Sequence, residues 1–110
     1  MSKEISREEL KEKISDRSVT LLEALPLEHY RRGHLPTARP FSRDTTNAAE
    51  IEALLPDKAA EIVVYCSSVS CGNSHAAQSQ LSQLGYRHVR VYAGGKADWV
   101  TAGERLEEGA

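Results

Sequence analysis

The segment "EIVVYC", residues 61–66, constrains this chain more than any other. Its apolar, β-branched residues leave neither face of a strand polar, as expected of a central strand in a parallel sheet. Such a strand needs helices on both sides of the sheet, and the rest of the chain must supply them. "SVTLLEAL" (18–25) reads as a second buried strand and "HVRVY" (88–92) alternates as a third. "ISREELKEKI" opens a helix, with Ser6 and Glu9 at capping-box spacing and Ile5 and Leu10 at the spacing of a hydrophobic staple. "PLEHYRRGHLP" reads as a short helix stopped by Gly33, with a turn at Pro36. "NAAEIEALLP" puts Ile51, Leu54 and Leu55 on one helical face. From Asn73 to Leu84 the pattern is helical, with Ala77, Leu81 and Leu84 in one stripe and Gly85 as a stop. "GGKADWVTAG" reads as a turn and a last short helix, and the polar "ERLEEGA" as a frayed end.

Alternating strands and helices predict an α/β fold, a central parallel sheet flanked by helices. The 110 residues fit a single domain, with its core over about residues 5–105. A formal net charge of −2 gives no bulk attraction to nucleic acid or to an anionic membrane. The charged start, Met1 to Leu10, lacks the apolar stretch of a signal peptide, so a cytoplasmic location is expected. There, Cys66 and Cys71 are expected as free thiols rather than a permanent bridge.

Cys66 sits where a parallel strand ends and a loop leads to a helix. Ligands of open α/β sheets bind at such carboxyl ends. Helix N-termini carry unpaired N–H groups and favour negative charge. That field lowers a thiol's pKa and stabilises a thiolate or persulfide. The loop residues Ser67, Ser68, Val69, Ser70, Cys71, Gly72 and Asn73 are mostly small, which lets their backbone amides curl into an anion cradle. Two readings are open at this point: a reactive thiol, or a small hydrophobe ending a buried strand.

Four segments resemble the rhodanese-like domains, in the family's order. They are "GHLPTA" (33–38), "VVYCSS" (63–68), "AAQSQLSQLGYRHV" (76–89) and "YAGGKADWVTAG" (92–103). "LLEAL" resembles the family's first strand more weakly. The resemblance implies a rhodanese-like α/β fold and a sulfurtransferase in which Cys66 is the nucleophile that carries sulfur as a persulfide. It implies that the amides of residues 67–73 cradle the charged sulfur. The implied partners are a small sulfur-containing anion or a protein persulfide as donor, and a thiol or cyanide as acceptor, with no cofactor. Nucleic acid and membrane are not expected among the partners.

The sequence departs from the family at several points. Where many single-domain members have Arg five residues after the nucleophile, this chain has Cys71, and residues 67–73 contain no Arg or Lys. A fixed guanidinium grips oxyanions in two places at once, so its absence predicts weak thiosulfate binding. Thr37 stands where Gly is usual, Glu23 where Asp is usual, and Leu25 replaces an Arg. These changes are expected to affect the rim and the turn. Cys71 has two open readings, a resolving thiol for Cys66 or a packing residue at the loop's base. Cys66, Cys71 and His75, with His88 further on, lack the tight paired spacing of zinc sites, and no metal is expected. His34 is expected to hold a turn, Trp99 to anchor the core or rim, and His75 to lie at the surface. Arg31, Arg32, Arg39 and Arg43 are expected as solvated charges, one of which could reach the site. Besides the enzyme, a catalytically quiet rhodanese-like binding module and a thiol redox relay through Cys66 and Cys71 stay open.

Overall fold

The computed structural model describes residues 4–41, 48–68 and 72–109. Its strands are β1 (Thr20–Glu23), β2 (Arg39–Pro40), β3 (Glu61–Tyr65) and β4 (His88–Tyr92). They form one parallel sheet in the order β2-β1-β3-β4, so the segment singled out by its two apolar faces is central. The helices are α1 (Arg7–Asp16), α2 (Leu27–Arg32), α3 (Ala48–Leu54), α4 (Asn73–Gln83) and α5 (Gly95–Thr101).

Alternation along the strands divides the core into two layers. Leu22, Ile62, Val64, Val89 and Val91 pack with Ile51 of α3 and with Ala77 and Leu81 of α4. Leu21, Val63, Tyr65 and Tyr92 face the other way, onto Leu10 of α1, Tyr30 of α2 and Trp99 of α5. Trp99 is a core anchor, 3% exposed, with Nε1 donating to the Arg105 carbonyl at 3.0 Å.

Local signals explain the helix ends. Ser6 Oγ accepts from Glu9 N–H at 3.1 Å, while the Glu9 carboxylate bonds Arg90 at 2.8 Å. Gly85, at φ 95°, supplies the left-handed turn after α4. His34 holds its turn: Nδ1 lies 2.9 Å from the Tyr30 carbonyl and the ring stacks on Tyr30 at 3.8 Å. A carbonyl only accepts, so Nδ1 carries the proton.

Two features differ from the sequence reading. β2 was not expected, because two exposed residues have no periodicity to read. The segment after α5 is docked rather than frayed. Glu107 and His34 exchange backbone bonds of 2.7 and 2.8 Å, Gly109 N–H reaches the Arg31 carbonyl at 3.0 Å, and Leu106 packs on the core. Its one apolar side chain and this bridge offset the cost of ordering a polar tail. No helix among the described residues is long and apolar enough to cross a membrane.

Candidate active site

The carboxyl ends of β1 and β3, with the turn after β4, build the site. Cys66 follows β3 directly and is 1% exposed. α5 begins beneath it. Lys96 N–H donates to the Cys66 carbonyl at 3.0 Å, and Ala97 N–H donates to the Ser67 carbonyl at 2.8 Å. The first amides of a helix have no partner within the helix, and here they fix the backbone on either side of the Cys66–Ser67 peptide. Gly95 makes this approach possible. At φ 61° an added Cβ would lie 2.3 Å from the Cys66 carbonyl oxygen.

Ser67 is exposed, Ser68 partly so, and Cys66 Sγ lies in loose contact with Ser67 Oγ at 3.9 Å. Gly72 is exposed, and Asn73 begins α4. Val69, Ser70 and Cys71 lie outside the described residues, as does Arg43. The expected cradle is therefore described only at its two ends.

The sulfur is not the free thiol that the sequence suggested. Cys66 is disulfide-bonded, and the sequence holds one other cysteine, Cys71. The expectation of free thiols rested on the inferred compartment, which does not override such proximity in sequence.

Glu23 is also corrected. It was expected to affect the rim, yet it is 0% exposed at the end of β1, opposite Tyr65 in the sheet. Its Oε1 accepts from Tyr65 OH at 2.8 Å and from Lys96 Nζ at 3.0 Å. Lys96 Nζ also donates to the His29 carbonyl at 2.9 Å, and Leu35 N–H donates to the Tyr65 oxygen at 3.1 Å. Burial, reinforced by the Glu23 charge, pushes the Tyr65 phenol far up, so it remains a donor. Sequence reasoning missed Lys96 and Tyr65. A usable signal was present: a carboxylate inside the apolar run "TLLEAL" must find a cation if its strand is buried.

The remaining candidates stay apart. His75 and His88 are exposed, and the described residues contain no group of three His, Cys, Asp or Glu fit to hold a metal. Arg31 and Arg32 are exposed on α2. Arg39 lines a cleft with Arg17, Val19 and Thr20 at the amino end of β1, away from Cys66.

Comparison with known proteins places this geometry. Residues 6–102 match the family model described as Rhodanese-like domain. No curated protein matches the chain. The crystal structure of the BH2092 protein from Bacillus halodurans superposes with a TM-score of 0.86 at 23% identity, over 96% of this chain and 76% of that one. The 3-mercaptopyruvate sulfotransferase SseA from Escherichia coli gives 0.81 at 20%, over all of this chain and 53% of that one. A structure of a rhodanese with anions from E. coli gives 0.67 at 26%, over 83% and 99%. At identities of 20–23%, the first two likenesses concern the fold.

Proposed function

Because the chain belongs to the rhodanese-like domain family, we propose that it is a sulfurtransferase that carries sulfane sulfur as a persulfide on Cys66. One observation carries the reading. Cys66, the nucleophile that the resemblance implies, follows the central strand at its carboxyl end, with its peptide held by the first amides of α5. A thiol at such a place lies in a field that favours the thiolate.

The cycle starts from the dithiol state, so two equivalents of a reducing thiol first open the Cys66 disulfide and leave as their own disulfide. The Cys66 thiolate then attacks the outer sulfur of the donor. With thiosulfate, the donor S–S bond breaks, sulfite departs with the bonding pair, and Cys66 holds a persulfide anion. An acceptor thiolate attacks the terminal sulfur, takes it as its own persulfide, and returns Cys66 as thiolate. Cyanide as acceptor leaves as thiocyanate. The covalent intermediate splits one transfer into two displacements. Donors of this reading are a small sulfur-containing anion or a protein persulfide.

The test is an intact mass after reduction and then exposure to thiosulfate or polysulfide. The expected result is one added sulfur atom, lost on adding cyanide or a thiol. Absence of any added sulfur with both donors defeats the reading and favours a quiet binding module.

The disulfide at Cys66 favours a second reading, a thiol redox relay. In it, two thiols of a partner reduce the bridge to a dithiol and leave as the partner's disulfide. Rapid reduction by a protein dithiol, without sulfur uptake, distinguishes the relay.

A further inference from the structure

The buried carboxylate beside the site is costly for stability. Glu23 is fully buried, and its Oε2 has no hydrogen-bond partner among the described residues. A neutral side chain of similar shape would keep the packing without leaving a charged acceptor unsatisfied. What the carboxylate does achieve is to hold Lys96. The Lys96 backbone N–H bonds the Cys66 carbonyl at 3.0 Å, so its side chain starts from the nucleophile's own peptide. Its ammonium is 3.0 Å from Glu23 Oε1, and the side chain is 16% exposed. Residues 67–73 contain no Arg or Lys.

We propose that Glu23 is a specificity-determining residue: by pairing with Lys96 it withholds from anionic donors a cation whose backbone is bonded to Cys66. The Glu23–Lys96 pair is neutral as a unit, so the site offers a dianion little attraction and discriminates less against donors of lower charge. Without the Glu23 charge, the flexible lysine stem is free to turn its ammonium toward the sulfur, where a positive charge draws anions in. The inference rests on the sulfurtransferase reading for the nature of the donor, but its test does not.

The 110-residue chain with Cys71→Ser keeps Cys66 as its single thiol. Its alkylation by iodoacetate, an anion, is compared with that by iodoacetamide, which is neutral. In both reactions the thiolate forms a C–S bond and iodide leaves. The ratio of the two rates reports the local charge at the sulfur, because changes in thiol acidity or exposure act on both reagents. Glu23→Gln raises the ratio by about threefold or more. Adding Lys96→Met abolishes the rise. A ratio unchanged in Glu23→Gln, or a rise that survives Lys96→Met, overturns the proposal. Should Glu23→Gln fail to fold, Glu23→Met in the same background decides by the same criterion: a raised ratio that Lys96→Met removes upholds the proposal, and an unchanged one overturns it. In sulfur transfer, Glu23→Gln lowers the thiosulfate KM by a similar factor with kcat nearly constant. A shifted ratio in a protein that never takes up sulfur removes the sulfurtransferase reading and leaves the electrostatic role of Glu23 standing.

Discussion

Gly95 and Cys66 touch through their backbones: a Cβ on Gly95 would come within 2.3 Å of the Cys66 carbonyl oxygen and 2.9 Å of its carbon. Both contacts are with backbone, so no side chain can swing aside. The left-handed φ of 61° adds strain for any other residue. Gly95→Ala therefore has to push α5 away from the loop and weaken the bonds from Lys96 and Ala97. The expected loss is about 2–4 kcal/mol, the range of changes that break a special backbone site. Denaturant unfolding of reduced protein measures it. A loss under about 1 kcal/mol would show that the two backbones separate easily.

Cys66→Ser removes the proposed nucleophile and nearly keeps the volume. Under reducing conditions the expected outcome is complete loss of sulfur uptake with stability changed by less than about 1 kcal/mol. Under oxidising conditions the parent gains from its disulfide, and the variant lacks that gain. Cys71→Ser is expected to retain sulfur uptake. Sulfur loading by intact mass and unfolding in both redox states check these outcomes. Uptake by Cys66→Ser equal to that of the parent would remove Cys66 from the mechanism.

Much of this frame was legible because apolar patterning reports burial. "EIVVYC" announced a central strand, and Ile51, Ala77 and Leu81 announced the helix faces that cover it. β2 was illegible because an exposed pair ending in Pro40 carries no pattern, although proline suits an edge strand. The docked tail was illegible because most of its ties are backbone bonds to His34 and Arg31, and its lone Leu106 carries no periodicity. At the site, Cys66 was readable from the strand-to-loop junction. The Glu23–Lys96 pair was not, because it joins residues far apart in sequence through the ends of two elements.

Thr37 is a strained departure from the family pattern. Its φ is 68°, where a β-branched side chain crowds the backbone, and its family counterpart is usually Gly. The left-handed conformation costs roughly 1–2 kcal/mol for an L-residue, against a smaller entropic cost of glycine in the unfolded chain. Thr37→Gly is expected to stabilise the domain by about 1 kcal/mol. A shift of the urea midpoint at constant slope measures the gain, and a destabilised variant would show that Thr37 makes compensating contacts.

Asp98 links α5 to α1 and β4. Its Oδ2 accepts from Tyr92 OH and, at 2.8 Å, from Arg7. These two bonds, that from Tyr92 first, lower the Asp98 carboxyl below the usual range. A carboxylate with a depressed folded-state pKa adds stability above its unfolded pKa and loses it as pH falls through the folded one. The side chain is 38% exposed, so screening limits the contribution to about 1 kcal/mol at most. Asp98→Asn should lower Tm at pH 7, and the gap to the parent should shrink below about pH 4. A gap that stays constant across this range would assign the effect to packing rather than charge.

The donor preference follows from what the loop lacks. Oxyanions are normally gripped by charge-assisted hydrogen bonds, each worth roughly 1.5–3 kcal/mol. Residues 67–73 offer no guanidinium, and Lys96 is bound to Glu23. One missing bond of that kind weakens donor binding by about ten- to a hundredfold. A persulfide, once formed, is held by its covalent S–S bond and does not need that cation for its attachment. Thiosulfate is therefore expected to be a poor donor with a high KM, and polysulfide or a protein persulfide a better one. Steady-state assays with both donors on reduced protein check this. A thiosulfate KM in the low micromolar range would mean that a cation does reach the donor, and the neutral-site account would fall.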